Sequence, residues 1–313
     1  MTTPKAKLAG LALIAALCAG FTLGLTAPAW AGLDEGVAAY KRGDYATALR
    51  EFRALAEQGN AKAQWGLGAM YIVGRGVPQD DAEAVKWFRK AAEQENADAQ
   101  VVLGVMYDIG RGVAQDYAEA VKWYRKAAEQ GTARAQNWLA FMYSLGRGVP
   151  QDDAKALQWW RKAAEQGIAE AQFNLGGMYS EGQGVPQDYA EAVGWWRKAA
   201  EQGYAKAQFN LALMYKDGQG VPQNDAKALQ WWRKAAEKGD AKAQYNLGLT
   251  YDKGRGVPQD YAQAHMWFDL AASTFPPGED RDKAVESRDD VAKRMTPAQI
   301  SEAQKLAREW KPK

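Results

Sequence analysis

The residues that most often do chemistry are scarce in this chain. It has one histidine, His265, and one cysteine, Cys18. A single imidazole cannot assemble the ligand shell of a zinc site. No serine or cysteine stands in a pattern that would make His265 the base of a nucleophilic pair. His265 also takes a position held by Val85, Val121, Leu157, Val193 and Leu229 in earlier segments, so it reads as a semi-buried departure at the frayed end of a pattern. Adjacent acids occur at Asp80/Asp81 and Asp152/Asp153, a pairing that can serve acid–base hydrolysis. Their place at predicted helix starts accounts for them without catalysis. The Gly-x-Gly pairs from Gly74/Gly76 to Gly254/Gly256 lack the lysine and the strand of a phosphate-binding loop. No catalytic residue, cofactor or metal ligand is assigned, and the chain reads as a non-enzyme.

What positions these residues is a repeat. Gln64, Gln100, Gln136, Gln172, Gln208 and Gln244 are 36 residues apart, as are Trp87, Trp123, Trp159, Trp195, Trp231 and Trp267. Six units follow without insertion: 61–96, 97–132, 133–168, 169–204, 205–240 and 241–276. Such periods signal repeat architectures. A second pattern spans two units, with Asp81, Asp153 and Asp225 alternating with Tyr117, Tyr189 and Tyr261.

Each unit predicts two helices. Helix A is the Ala-x-Ala-Gln-x-x-Leu-Gly-x-Met-Tyr stretch and stops at the first glycine of Gly-x-Gly, where a left-handed cap is expected. Val-Pro-Gln then cannot continue a helix, although the second unit has Ala114 in place of that proline. Helix B begins after Asp80, Asp116, Asp152, Asp188, Asn224 or Asp260, all good N-caps. Glu83, Glu119 and Glu191 occupy the reciprocal capping position. Helix B ends at Gly131, Gly167, Gly203 and Gly239, but the first unit has Glu95 there, which either takes a left-handed backbone at about 1–2 kcal/mol or ends the helix differently. Gly68, Gly104, Gly176 and Gly248 are expected to allow close helix contact. The Trp87 column is expected to be core, because a buried indole removes roughly 150–250 Å² from water. Arg89-Lys90 and its copies, with Glu93 or Glu129, read as a solvated, salt-bridged face.

These motifs closely resemble the Sel-like repeat (SLR) family, relatives of the tetratricopeptide repeats. The residues that carry the resemblance are Ala-x-Ala-Gln-x-x-Leu-Gly-x-Met-Tyr, Gly-x-Gly-Val-Pro-x-Asp and Ala-x-x-Trp-x-x-Lys-Ala-Ala-x-x-Gly over residues 61–276. The resemblance implies an all-α, right-handed α/α superhelical solenoid with helix A lining a concave binding surface, and a scaffolding role. Residues 32–60 look like an N-terminal helix pair with a tight Gly43-Asp44 turn. Residues 277–313 look like a C-terminal helical cap, with Thr296 and Pro297 opening its last helix. A solenoid needs polar caps at its ends.

Residues 1–31 read as a cleaved signal peptide, with Lys5 and Lys7, an apolar core from Leu8 to Leu25, and Ala29-Trp30-Ala31 before the cut at Gly32. The alternative, a membrane anchor, sits poorly with Pro28 and the cleavage motif directly after the apolar stretch. Cys18 lies in this segment and is filler. Cleavage takes two of the 40 basic side chains and leaves 38 against 38 acidic ones, a balance that disfavours nucleic acid and a polybasic membrane patch. A periplasmic or secreted monomer without a membrane span is expected.

The columns that differ between units form a stripe on helix A about 120° wide, opposite the fixed columns. The stripe holds Trp65, Trp138, Phe141, Phe173, Phe209 and Tyr245, with Asn174, Asn210 and Asn246 at one slot beside them. Rings bury area and amides bond a peptide backbone, so the stripe is the candidate partner site; the alternative is that these rings pack between neighbouring A helices. The function read from the sequence is an exported scaffold that binds a protein or peptide in its groove. Binding of an envelope glycan, with the aromatics as sugar platforms, is the first alternative, and a hydrolase the second.

Overall fold

The computed structural model describes residues 31–312. Among these residues there are sixteen helices and no strand. The chain forms two compact units, divided between Lys162 and Ala163. In the first, α1 (Ala31–Arg42) and α2 (Tyr45–Glu57) precede the helix A and B pairs α3 (Ala61–Val73) with α4 (Asp81–Glu93) and α5 (Ala97–Ile109) with α6 (Tyr117–Glu129). α7 (Ala133–Leu145) follows, and α8 (Asp153–Glu165) carries the division. The second unit has α9 (Ala169–Glu181) with α10 (Tyr189–Glu201), α11 (Ala205–Asp217) with α12 (Asp225–Glu237), and α13 (Ala241–Lys253) with α14 (Tyr261–Thr274). It closes with α15 (Glu279–Ala292) and α16 (Pro297–Glu309). The tandem all-α solenoid repeats expected from the sequence are what form. The segment read as a signal peptide and its lone Cys18 lie outside the described residues, apart from Ala31 at the start of α1.

The helix boundaries follow from local chemistry. Asp80 accepts from the backbone N–H of Glu83 at 2.9 Å, and Asp116 and Asp188 do the same for Glu119 and Glu191 at 3.0 Å. The reciprocal half of a capping box is not made at Glu83 and Glu119. Their carboxylates pair instead with Lys86 and Lys122, one turn along and exposed, where a surface ammonium is in better reach. A full box does form at Thr296 and Gln299. Helix A ends as expected on a left-handed glycine, as at Gly74 (φ 71°), whose N–H donates to the Met70 carbonyl at 2.9 Å. Glu95 takes the left-handed backbone with φ 63°.

The core corrects the expectation for tryptophan. The rings that meet helix A's glycines belong to the next position along helix B. A β-carbon on Gly104 would lie 2.6 Å from the Tyr124 ring, and one on Gly176 would lie 2.6 Å from Trp196. Phe88, Tyr124, Trp160, Trp196, Trp232 and Phe268 are buried throughout. In the Trp87 column Trp123 and Trp267 are buried as expected, but Trp87, Trp159, Trp195 and Trp231 are only half-buried. One residue is about 100° of helix rotation, which carries four of the six indoles from the core to its rim. There a lysine three residues on lies over the ring: Lys90 at 4.3 Å, Lys162 at 4.4 Å, Lys198 at 3.9 Å and Lys234 at 4.1 Å. The face read as salt-bridged is therefore divided, with the lysine on its tryptophan and the arginine reaching the next helix A. Arg89, Arg125 and Arg197 donate to the hydroxyls of Tyr107, Tyr143 and Tyr215.

Buried glutamines join one repeat to the next. Gln100 donates to the Ala92 carbonyl at 3.1 Å and accepts from Gln130 at 2.9 Å. In the first compact unit the loop arginine after helix A meets both members of the two-unit alternation, whereas Asp153 and Tyr189 are followed by Gln183 and Gln219 at the loop position. Arg111 pairs with both carboxylate oxygens of Asp81 at 2.8 Å, whereas Arg147 lies 5.6 Å from the Tyr117 ring centroid. Aspartate and tyrosine are two ways of receiving the same guanidinium. The helices before and after the repeats reproduce this joint. Arg75 lies over Tyr45, the residue 36 before Asp81, and Arg294 of the C-terminal segment lies over Tyr261 while bonding Asp252 at 2.6 Å.

Candidate functional site

The invariant columns are consumed by the bonds just described. What remains for a partner is the stripe of helix A that differs from unit to unit. In the first compact unit it is mostly closed. Trp65 is only 5% exposed. Trp138 stacks on Tyr124 with centroids 6.1 Å apart and touches Phe141, which in turn stands edge-on to Trp160 at 5.2 Å. Asn137 accepts from the Trp160 indole at 3.1 Å. The half-buried Trp138 and Phe141 are thus the outer members of an aromatic file that begins in the core.

In the second unit the stripe is more open. Phe173, Asn174, Phe209, Asn210, Tyr245 and Asn246 are all partly exposed. Phe173 packs on Tyr204 at 5.3 Å, and its carbonyl accepts from Trp196 at 3.0 Å. The Asn174 side-chain nitrogen is shielded and has no hydrogen-bond partner. Asn246 donates to the Lys242 carbonyl at 2.8 Å. Tyr245 is drawn into the C-terminal helices. It lies against Phe268 at 5.4 Å, and its hydroxyl is 3.3 Å from that of Ser287.

A recess of about 140 Å³ opens beside Asn246. Trp232 and Thr250 line it, and Lys216, Lys253 and Arg255 bring positive charge. Sequence reasoning did not assemble this site. Its one signal is Thr250, the sole departure from Met70, Met106, Met142, Met178 and Met214.

Asp108, Tyr124 and His265 answer chiefly to burial. Burial raises the Asp108 carboxyl, opposed by Arg147, and raises the Tyr124 phenol well above its ordinary value, with Asp108 adding to the effect. His265 is 4% exposed and covered, not frayed; burial lowers it. Among the described residues no three of His, Cys, Asp and Glu converge to hold a metal.

The repeat units match the Sel1 repeat family over residues 61–96, 97–132, 133–168, 169–204, 205–240 and 241–273. The chain belongs to the Sel1 repeat family. A Sel1 repeat protein from Oxalobacter formigenes is 34% identical over 79% of this chain and 98% of its own, with a TM-score of 0.68. A protective antigen present in uropathogenic Escherichia coli strains and displaying an SLR fold is 29% identical over 97% of this chain and 91% of its own, with a TM-score of 0.51. No curated protein matches the chain. Sel1 repeat proteins generally act as protein–protein interaction scaffolds and are typically non-catalytic. No helix among this Sel1 protein's described residues is long and apolar enough to cross a membrane.

Proposed function

We propose that this Sel1 repeat protein is an exported scaffold that binds a protein or peptide on its A-helix stripe. The observation that carries the reading is a division of labour. Gln100, Tyr107, Gly104 and their copies are occupied in holding repeats together, whereas Phe173, Asn174, Phe209, Asn210 and Asn246 are partly exposed and differ from the earlier repeats. Partly exposed rings beside amides suit a peptide, whose side chains they cover and whose backbone they bond. Trp65 is buried and Tyr245 is engaged by the C-terminal helices, so the stripe is centred on the remaining residues. Trp138 and Phe141 provide its counterpart in the first unit.

A sugar platform needs one flat aromatic face open to solvent. Phe173 and Tyr204 instead cover one another, which favours protein over glycan. Export rests on Lys5, Lys7, the apolar core and Ala29-Trp30-Ala31. The mature protein is then a periplasmic or secreted monomer starting at Gly32, with 32–60 and 277–313 as its caps. N-terminal sequencing of the exported protein tests the cut.

The binding test is affinity capture from envelope extract with the double variant Phe173→Ala/Phe209→Ala. A stoichiometric protein retained by the wild type is lost by the variant, while the thermal melt stays cooperative. Loss of folding without a partner-specific defect overturns the reading. Retention on purified peptidoglycan, with no protein captured, replaces it with the glycan alternative.

A further inference from the structure

The joint between the fifth and sixth repeats departs from that between the first and second in several ways, and the departures coincide. A β-carbon on Gly112 or Gly220 would lie 2.3 Å from the backbone of the preceding helix B, but one on Gly256 would lie 2.9 Å away, as at Gly76, where the distance is 2.8 Å. The loop carrying Arg255 therefore stands further off. Arg111 pairs with Asp81, whereas no ion pair joins Arg255 to Asp225, the equivalent aspartate, among the described residues. Met70 reaches under its own loop, its terminal methyl 3.0 Å from where a Gly76 β-carbon would be. Thr250 stands in that methionine's place and is too short to fill it. The recess of about 140 Å³ is what these changes leave.

A residue of the recess wall also carries an unmet, shielded hydrogen-bond donor. Trp160 gives its indole N–H to Asn137, and Trp196 gives its own to the Phe173 carbonyl. Trp232 is 4% exposed and lines the recess, and its indole N–H has no partner. A buried donor left unpaired costs about 1–3 kcal/mol, which a ligand acceptor would recover. Lys216, Lys253 and Arg255 line the same space against one acid, Asp225. Lys216 is also paired with Asp217 at 3.3 Å. Lys253 and Arg255 leave an excess of positive charge that an acceptor with negative charge fits best. The size excludes a cofactor, since small-molecule pockets are roughly 300–1,000 Å³. It suits one side chain.

Resting on the scaffold reading, we propose that this recess takes an acidic side chain of the partner peptide, its carboxylate accepting from the Trp232 indole and facing Lys216, Lys253 and Arg255. The rings and amides of the stripe then bind the flanking chain, and the recess sets which residue must be acidic.

The test uses the full exported chain and fluorescein-labelled peptides, acetylated and amidated so that their only carboxylates are side chains. An alternating Ala-Glu peptide binds, and the Ala-Gln peptide does not. Thr250→Met restores the residue of the other five repeats, so it keeps the fold; it weakens Ala-Glu binding by about tenfold or more. The Trp232 indole resonance, assigned with Trp232→Phe, moves with the Ala-Glu peptide alone. Unchanged affinity in Thr250→Met, a stationary Trp232 signal during binding, or no binding of Ala-Glu overturns the subsite. Stronger binding of an Ala-Gln peptide with a free C-terminus than of the amidated Ala-Glu peptide overturns the side-chain assignment. The subsite and the scaffold fail separately. If Thr250→Met has no effect while Phe173→Ala/Phe209→Ala loses its partner, only the subsite falls. If the reverse holds, only the stripe does.

Discussion

The Tyr117 carbonyl oxygen lies only 2.2 Å from where a β-carbon on Gly148 would stand. The first glycine of each Gly-x-Gly closes helix A. The second brings the loop against the start of the preceding helix B, at a distance no side chain allows. This joint registers one repeat on another, and it leaves the variable stripe of helix A free of that task.

Substituting that glycine should cost more than backbone conformation alone. Gly148→Ala must adopt φ 67° and also displace the Tyr117 backbone. Gly131→Ala faces φ 91° with nothing within 4 Å. The second variant should lose about 1–2 kcal/mol in urea unfolding, and the first distinctly more. Equal losses would mean that the close approach contributes nothing.

Glu95 is the natural converse. It holds φ 63° where the later repeats have Gly131, Gly167, Gly203 and Gly239. Glu95→Gly removes the left-handed strain and should raise stability by about 1 kcal/mol, after the loss from glycine's freer unfolded chain. Chemical denaturation of the two proteins checks the sign.

The buried Gln208 carbonyl oxygen has no partner. In earlier repeats Gln94, Gln130 and Gln202 supply that donor to Gln64, Gln100 and Gln172 at 2.7–2.9 Å. Here Lys238 occupies the donor's position. Lys238→Gln should restore the bond and stabilise the protein by about 0.5–1.5 kcal/mol. A thermal melt that is unchanged or lower counts against this account of the joint.

His265 should make stability depend on pH. Burial lowers its folded pKa below 6.5; Arg288 acts in the same direction, and Asp269 and Asp289 oppose it. The unfolded chain therefore takes up a proton first as the pH falls, and stability drops once the pH passes below the unfolded value, near 6.5. His265→Leu, the residue of the third and fifth repeats, should remove this part of the acid sensitivity. Melting temperatures at about pH 7.5 and 5.5 should then differ less than in the wild type. An equal difference in both proteins excludes His265 as the source.

By itself, the sequence determined the repeat, the helix boundaries and the family. Caps and breakers such as Asp116, Gly110 and Pro150 act within one turn of chain, so their effect is written where they stand. The 36-residue period likewise marked which columns stay fixed and which vary. Tertiary structure decided which ring enters the core. Trp123 and Tyr124 are neighbours of similar character, and only the position of Gly104 on the facing helix selects Tyr124 for the deepest place. It also decided that Trp65 is buried while Phe209 stays partly exposed, although both occupy the same slot of helix A. The recess at Trp232 and Thr250 could not be read ahead for the same physical reason. It forms from residues of two repeats, and its volume is what their packing leaves unfilled.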